Sequence, residues 1–402
     1  MRQEAFITGV GIVSPIGVGK EAFLAALKAG RSGLGPLRSL DASEFRIGCG
    51  GEVDITSLRA MGLDPKEERA LALAVQACRE AIEDAGLSAS LPEVATLALG
   101  SGAGEMRAME RSMGAPEGAL LLEQNDPVQA PNSVTSKLAL RLGLRGRLLT
   151  FINACAAGAQ AIAVAGDLIR AGRAEVAVAG GVEIVNRMVM SGFEALRAVS
   201  PTTPKPFDAE RDGIQLSELA AFLVLESSER VRQRGVRPYA RLAGSGASAD
   251  ASHVVQPDPE GVGAVLALRR ALGDAGLEPE EIDYVNAHGT GTAQNDPAEL
   301  AALHSVFRER LETLPISSTK AALGHALGAS GAAEAVICAL AIREGFLPPT
   351  LGWSRPIAGY EELDFVPNRA REGVALRHVV SNSFAFGGNN VVLLLSSPGR
   401  VD

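Results

Sequence analysis

Cysteines, histidines and long apolar runs are all scarce in this chain, and each scarcity removes a class of protein. Cys49, Cys78, Cys155 and Cys338 are spread over 402 residues with no Cys-x-x-Cys pair, so neither a zinc site nor a disulfide framework is expected. A reducing cytoplasm is the simpler setting. The longest apolar stretches, 219–225 and 335–342, fall far short of the ~20 residues a membrane-spanning helix needs. The N-terminus runs from a polar start into a strand pattern, without the basic region and apolar core of a signal peptide. Basic residues number 38 against 47 acidic, a formal charge of −9, which argues against a general nucleic-acid binder. An acidic protein partner would need a local basic patch.

What remains suits a compact enzyme. With 47% hydrophobic and 21% charged residues the chain can bury a large core, and its length exceeds what a single core organises. Strand-like and helix-like segments alternate with glycine at the joints, the pattern of an α/β fold. The pattern repeats. Residues 148–154 read as a strand, 155–172 as a helix of small residues and 174–182 as a strand; 314–319, 328–345 and 374–384 read the same way. Both helices are rich in Ala and Gly, with Asp167 and Glu334 as charged exceptions, which suits burial between two sheets. A layered α-β-α-β-α duplication follows, with halves 1–230 and 231–402 joined through the polar stretch 227–237.

Three glycine-rich loops carry reactive residue types. Asn153-Ala-Cys-Ala-Ala-Gly-Ala-Gln-Ala-Ile162 sets Cys155 where a strand turns into a helix, so a thiolate there would face free backbone N–H groups and the positive end of the helix dipole. Taken alone, a cysteine among alanines such as Cys155 is more often a small buried hydrophobe. Val285-Asn-Ala-His-Gly-Thr-Gly-Thr292 and Ser318-Thr-Lys-Ala-Ala-Leu-Gly-His325 supply two of the five histidines, each beside a glycine that lets a ligand approach. A single such histidine is often structural; three reactive types in three such loops point to a shared site.

Together with Gly9-Val-Gly-Ile-Val-Ser-Pro-Ile-Gly17, Pro206-Phe-Asp-Ala-Glu-Arg-Asp-Gly213 and Ser381-Asn-Ser-Phe-Ala-Phe-Gly-Gly-Asn389, these motifs run nearly end to end. In that order and spacing the chain resembles the β-ketoacyl-acyl carrier protein synthases, most of all the elongating Cys-His-His branch, synthase II and type II polyketide and polyene ketosynthases. The resemblance implies a thiolase-like fold and decarboxylative condensation of an acyl group on Cys155 with a malonyl thioester. It implies no separate cofactor, substrates held on the phosphopantetheine of an acyl carrier protein, and a homodimer or a heterodimer with a related subunit. By the same resemblance His288 and His325 act on the malonyl unit and Lys320 pairs with Glu334 beside them. The N–H groups of Cys155 and Phe386 form the oxyanion hole, and Phe386 gates the acyl chain. Thr290 and Thr292 hold the pantetheine. Ala103, Phe193 and Phe384 border the acyl chain, Ala103 leaving a deeper floor than a branched residue would. Arg197, Lys66 and Arg69 are implied carrier-docking residues.

Some positions depart from the family pattern. Val255 stands where a threonine is usual, which removes a hydroxyl near the pantetheine. Ser217 and Leu219 replace two glycines around Glu218, leaving the local turn geometry open. Two alternatives also stand beside a catalytic ketosynthase. A chain-length-controlling subunit would share the fold without condensing, but such subunits usually lack the nucleophile that Cys155 supplies. A degradative thiolase or starter-type synthase would show a second catalytic cysteine, or Asn for one histidine.

Overall fold

A computed structural model describes residues 3–54, 56, 59, 69–88, 91, 94–104, 106, 110 and 133–399. Among the described residues ten strands run side by side through one continuous mixed sheet, and a short eleventh, Gly17–Val18, pairs off this path with Ala5–Ser14. Five come from the first half: β1 (Ala5–Ser14), β2 (Thr96–Gly100), β3 (Leu148–Phe151), β4 (Val176–Glu183) and β5 (Leu219–Ser227). Five come from the second: β6 (Ala240–Ala249), β7 (Tyr284–Asn286), β8 (Ile316–Ser317), β9 (His378–Ala385) and β10 (Asn389–Ser396). Across the sheet the order is β8-β7-β9-β10-β6-β1-β5-β4-β2-β3. Read outward from the join, each half therefore places its own strands in the order first, fifth, fourth, second, third. The pairing senses match as well. β1–β5 and β5–β4 are antiparallel, as are β6–β10 and β10–β9; β4–β2–β3 and β9–β7–β8 are parallel.

The halves meet where Ala5, Phe6 and Ile7 pair with Leu242, Arg241 and Ala240. Between the two wings lie the central helices, Ala157–Arg170 and Ser330–Glu344, which touch each other and strands of both halves. They cross at glycine, since a Cβ on Gly331 would come within 2.8 Å of the Ala159 Cβ. Arg69–Asp84 covers β1 and β5 on one outer side, and Val262–Ala275 covers β6 and β10 on the other. The result is the layered α-β-α-β-α arrangement expected.

Local boundaries differ from the sequence reading in understandable ways. The expected strand 314–319 shortens to Ile316–Ser317, since the chain leaves the sheet edge to enter the Lys320 turn. The helices begin at Ala157 and Ser330 rather than at 155 and 328, because each is preceded by a 3₁₀ turn, Ala154–Ala156 and Leu327–Ala329. The polar junction contains a helix, Ser228–Arg234, whose Ser227 side chain accepts from Arg230 N–H and which ends at left-handed Gly235. Ser217 and Leu219 both avoid positive φ. Ser217 fits because Gly51 and Gly324 offer no Cβ; a methyl on either would lie under 3 Å from the Ser217 Cβ. No described helix is long and apolar enough to cross a membrane.

Candidate active site

Strand ends converge where the two halves face each other. Ala154, just before the cysteine, has φ 51°, a left-handed conformation that costs a non-glycine residue roughly 1–3 kcal/mol. That sharp turn presents Cys155, 6% exposed, at the base of the central helix. Its Sγ lies 3.1 Å from Nε2 of His325, whose Nδ1 lies 3.0 Å from the Ser330 hydroxyl. The rings of His288 and His325 meet edge to face at 5.3 Å between centroids, and Phe384 lies 5.9 Å from His288.

Each histidine is held by backbone as well as packing. The N–H of His325 donates to Gln215 O and its carbonyl accepts from Ser217 N–H, so the substituted segment around Glu218 serves as its clamp. The Glu299 carboxylate accepts from the N–H groups of His288 and Gly289 and from the Asn382 side chain. Lys320 Nζ donates to His288 O and to Glu334 Oε1, both at 2.5 Å. Lys320 and Glu334 are both buried, so the ion pair relieves much of the cost an isolated charge would carry.

Electrostatics differ from the expectation for a helix-end thiol. Burial pushes the Cys155 thiol up to about 12, outweighing the opposing pull of Lys320. A thiol so shifted carries its proton near neutral pH, the opposite of what a helix-end position alone favours. His288 and His325 lie well below the usual imidazole range, first through burial and then through Lys320. Both rings are neutral near pH 7. A neutral imidazole in contact with a neutral thiol can take its proton when a substrate arrives, and a neutral ring can donate a hydrogen bond to a developing oxyanion.

A cavity of about 520 Å³ leads to these groups, bordered by Cys155, His288, His325, Phe193, Phe384 and Phe386 at depth. Thr290, Thr292, Val255, Arg197 and Asp212 also line it. Phe386 is 36% exposed and stacks on Phe193 at 5.5 Å, so it is not a core aromatic. Its turn, with Gly387 and Gly388 at positive φ, packs against the turn of Cys155. The Thr290 and Thr292 hydroxyls lie 2.9 Å apart, and Asp296 braces their loop through Gly291 N–H. Val255 faces the cavity with methyls in place of a hydroxyl.

Two expected residues fall elsewhere. Ala103 is not among the described residues lining this cavity; its N–H donates to Glu183. Arg69, read as a docking residue, is buried and bound through Nε and Nη2 to Glu218 and through Nη2 to Val53 O, so its charge is spent inside the fold. Lys66 lies outside the described residues. Sequence reasoning missed Glu299, Asp296, Ser330 and Glu183. Asp296 and Glu299 open a helix, Asn295–Phe307, directly after a glycine-rich loop, the one visible signal that their carboxylates would brace loop N–H groups.

A duplicated thiolase-like fold with one cysteine and two neutral imidazoles at the end of a single cavity defines a condensing acyltransferase. Sequence models of the β-ketoacyl synthase N-terminal and C-terminal domains match residues 3–230 and 239–354. The chain is 37% identical to 3-oxoacyl-[acyl-carrier-protein] synthase 2 of Coxiella burnetii and 37% identical to nodulation protein E of Rhizobium meliloti. Each match covers 98% of this chain and 99% of the relative. Among solved structures it superposes on the ishigamide ketosynthase/chain length factor with a TM-score of 0.90 at 36% identity, covering 99% of this chain and 100% of the other. The chain belongs to the β-ketoacyl synthase family and is an acyltransferase of the ketosynthase type.

Proposed function

We propose that the chain elongates an acyl group by two carbons, taking it from an acyl carrier protein onto Cys155 and condensing it with a malonyl carrier thioester. The observation that carries this reading is the 3.1 Å contact between Cys155 Sγ and His325 Nε2, with His288 beside it and the Lys320–Glu334 pair behind. Cys155 gives its proton to His325 as sulfur attacks the thioester carbonyl, whose oxygen gathers charge facing the N–H groups of Cys155 and Phe386. The carrier thiol leaves with a proton. The malonyl unit then loses carbon dioxide, and His288 and His325 donate hydrogen bonds to the enolate oxygen. Its carbon attacks the Cys155 thioester, so a C–C bond forms, the C–S bond breaks, and the released Cys155 sulfur takes up a proton from solvent. The Ser330 hydroxyl can donate or accept at His325 Nδ1, so it serves either tautomer that these steps require.

Thr290 and Thr292 bind the pantetheine arm, Phe386 moves aside for the acyl chain, and Arg197 meets the acidic carrier at the mouth. The boundary between halves is taken at 230/231, within the junction helix. The chain acts as a dimer, homodimeric or paired with a related subunit. Support comes from β3, the edge of the sheet among the described residues, where Leu148 and the nearby Leu140 and Ile152 are exposed. The cytoplasm suits a catalytic thiol and four free cysteines. Intact-mass analysis after incubation with acyl carrier thioesters, followed by malonyl carrier and release of labelled carbon dioxide, tests the reading. Acylation of Cys155 and labelled gas are expected, and absence of both would overturn it. A chain that is acylated but never condenses would instead favour the chain-length-controlling role.

A further inference from the structure

The duplication sets a second turn opposite the first. Leu327–Ala329 precedes Ser330–Glu344 as Ala154–Ala156 precedes Ala157–Arg170, and Leu327 repeats the left-handed conformation of Ala154, with φ 41° against 51°. Gly328 thus occupies the place that Cys155 holds in the first half. Gly102 stands two residues beyond β2, as His288 stands two beyond β7. In the first half the turn at Cys155 lines a cavity. In the second, a carboxylate fills the corresponding space.

That carboxylate is Glu183, at the end of β4 and 1% exposed. Its Oε2 accepts from Gly102 N–H at 2.6 Å and from Gly328 N–H at 3.2 Å; its Oε1 accepts from Ala103 N–H at 3.1 Å. The Ser101 hydroxyl is a further partner. The fit depends on glycine, since a Cβ on Gly328 would stand 2.3 Å from Gly102 N and one on Gly102 would stand 2.9 Å from Glu183 Oε2. Both oxygens face only donors, so a group that must donate with one end cannot replace it. Gly328 is three residues beyond His325 and two before Ser330, the partner of the His325 ring.

We infer that Glu183 is a positioning residue that ties the 101–104 loop to the turn at Leu327–Ala329 and thereby sets His325 against Cys155. The role deepens the condensing reading and rests on it for its relevance to turnover. Glu183→Gln keeps the volume but turns an amide N–H toward backbone donors, which releases Gly328 and lets the left-handed turn relax. The probe is alkylation of Cys155 by iodoacetamide, which needs no carrier substrate and so stands apart from any failure of the condensing reading. Glu183→Gln should slow alkylation by about tenfold in the otherwise unaltered protein. In a His325→Ala background it should slow it by less than about twofold, because a residue acting through His325 has nothing left to act on. Ser101→Ala is the milder second variant should the first fail to fold, with the same background dependence and a smaller effect. Equal slowing in both backgrounds, or none in either, would overturn the inference.

Discussion

The two halves share a strand order, pairing senses and a strained turn before each central helix, yet they hold different chemistry at corresponding places. In the first half the turn carries Cys155, the proposed nucleophile, and opens on a cavity; in the second it carries Gly328 and is plugged by Glu183. The two frames are alike, but one borders the cavity and the other is closed by a carboxylate. The histidines follow the same logic. His288 and His325 stand on second-half loops but face the cysteine of the first, so neither half contains the site alone.

The sharpest break in the comparison is to make the first turn resemble the second. Cys155→Ala removes the nucleophile among neighbouring alanines, and acyl transfer should fall by about a thousandfold or more while the melting temperature changes little. Intact-mass analysis that still finds an acylated enzyme would reject Cys155 as the acceptor. On the other side of the site, His288→Ala or His325→Ala should lower condensation by about 100- to 10,000-fold while leaving measurable Cys155 acylation. Parental condensation in either variant would reject that division of labour.

Stability should separate the halves as well. Lys320→Met leaves the buried Glu334 carboxyl without its partner in the second half, and unfolding free energy should fall by about 3–5 kcal/mol. Asp167 sits on the matching helix of the first half with its side chain 57% exposed beside Arg170. Asp167→Asn should change stability by less than about 1 kcal/mol. Urea titrations of the two variants measure the contrast directly.

The strong contrast between those two acids was only half visible in the sequence. Both helices showed one acid among alanines, but which acid is buried depends on Lys320, fourteen residues upstream across a turn. Cys155, His288, His325 and Lys320 were legible because each sits in a glycine-rich loop after a strand, and the duplication was legible because two helices lack a polar face. Arg69 was misread because a cation near the entrance in sequence gives no sign of a buried carboxylate, Glu218, 149 residues away. Glu183 passed unnoticed because, as the last residue of a strand, its partners come from two distant loops. The upward shift of the Cys155 thiol was missed because its burial comes from residues distant in sequence, among them Val185, Ile214, Leu216 and Leu327.

Burial also fixes the sign of a pH effect. The folded protein keeps His288 and His325 neutral below their unfolded value of 6.5, so the unfolded chain binds more protons there and stability falls as pH drops through 6.5. Glu183 and Glu334, pushed up to about 7 by burial, act oppositely: the folded state takes up their protons first, so their contribution to stability falls as pH rises from 4.5 to 7. Replacing His288 by Gln should therefore reduce the loss of stability between pH 7 and pH 5. An unchanged or steeper loss, measured by urea unfolding at both values, would show that this histidine titrates normally in the folded state.

The smallest effect belongs to the mouth of the cavity, where the halves meet solvent. Arg197 is exposed, follows the helix Arg187–Ala195, and holds a left-handed φ of 53° with its N–H bonded to Glu194 O. Of the three cations expected to meet a carrier, it alone is a described residue lining the cavity; Arg69 is engaged inside the fold. A rim charge steers encounter more than it sets final affinity, and salt screens it over roughly 10 Å at 0.1 M. Arg197→Glu should therefore raise the apparent KM for an acidic acyl carrier by about three- to tenfold at low salt, leave kcat unchanged, and lose most of that effect at 0.5 M salt. Arg187 on the same helix is paired with Glu44, and Arg187→Glu should move KM less. If both reversals raise KM equally, the surface acts through diffuse charge, and Arg197 has no special place at the entrance.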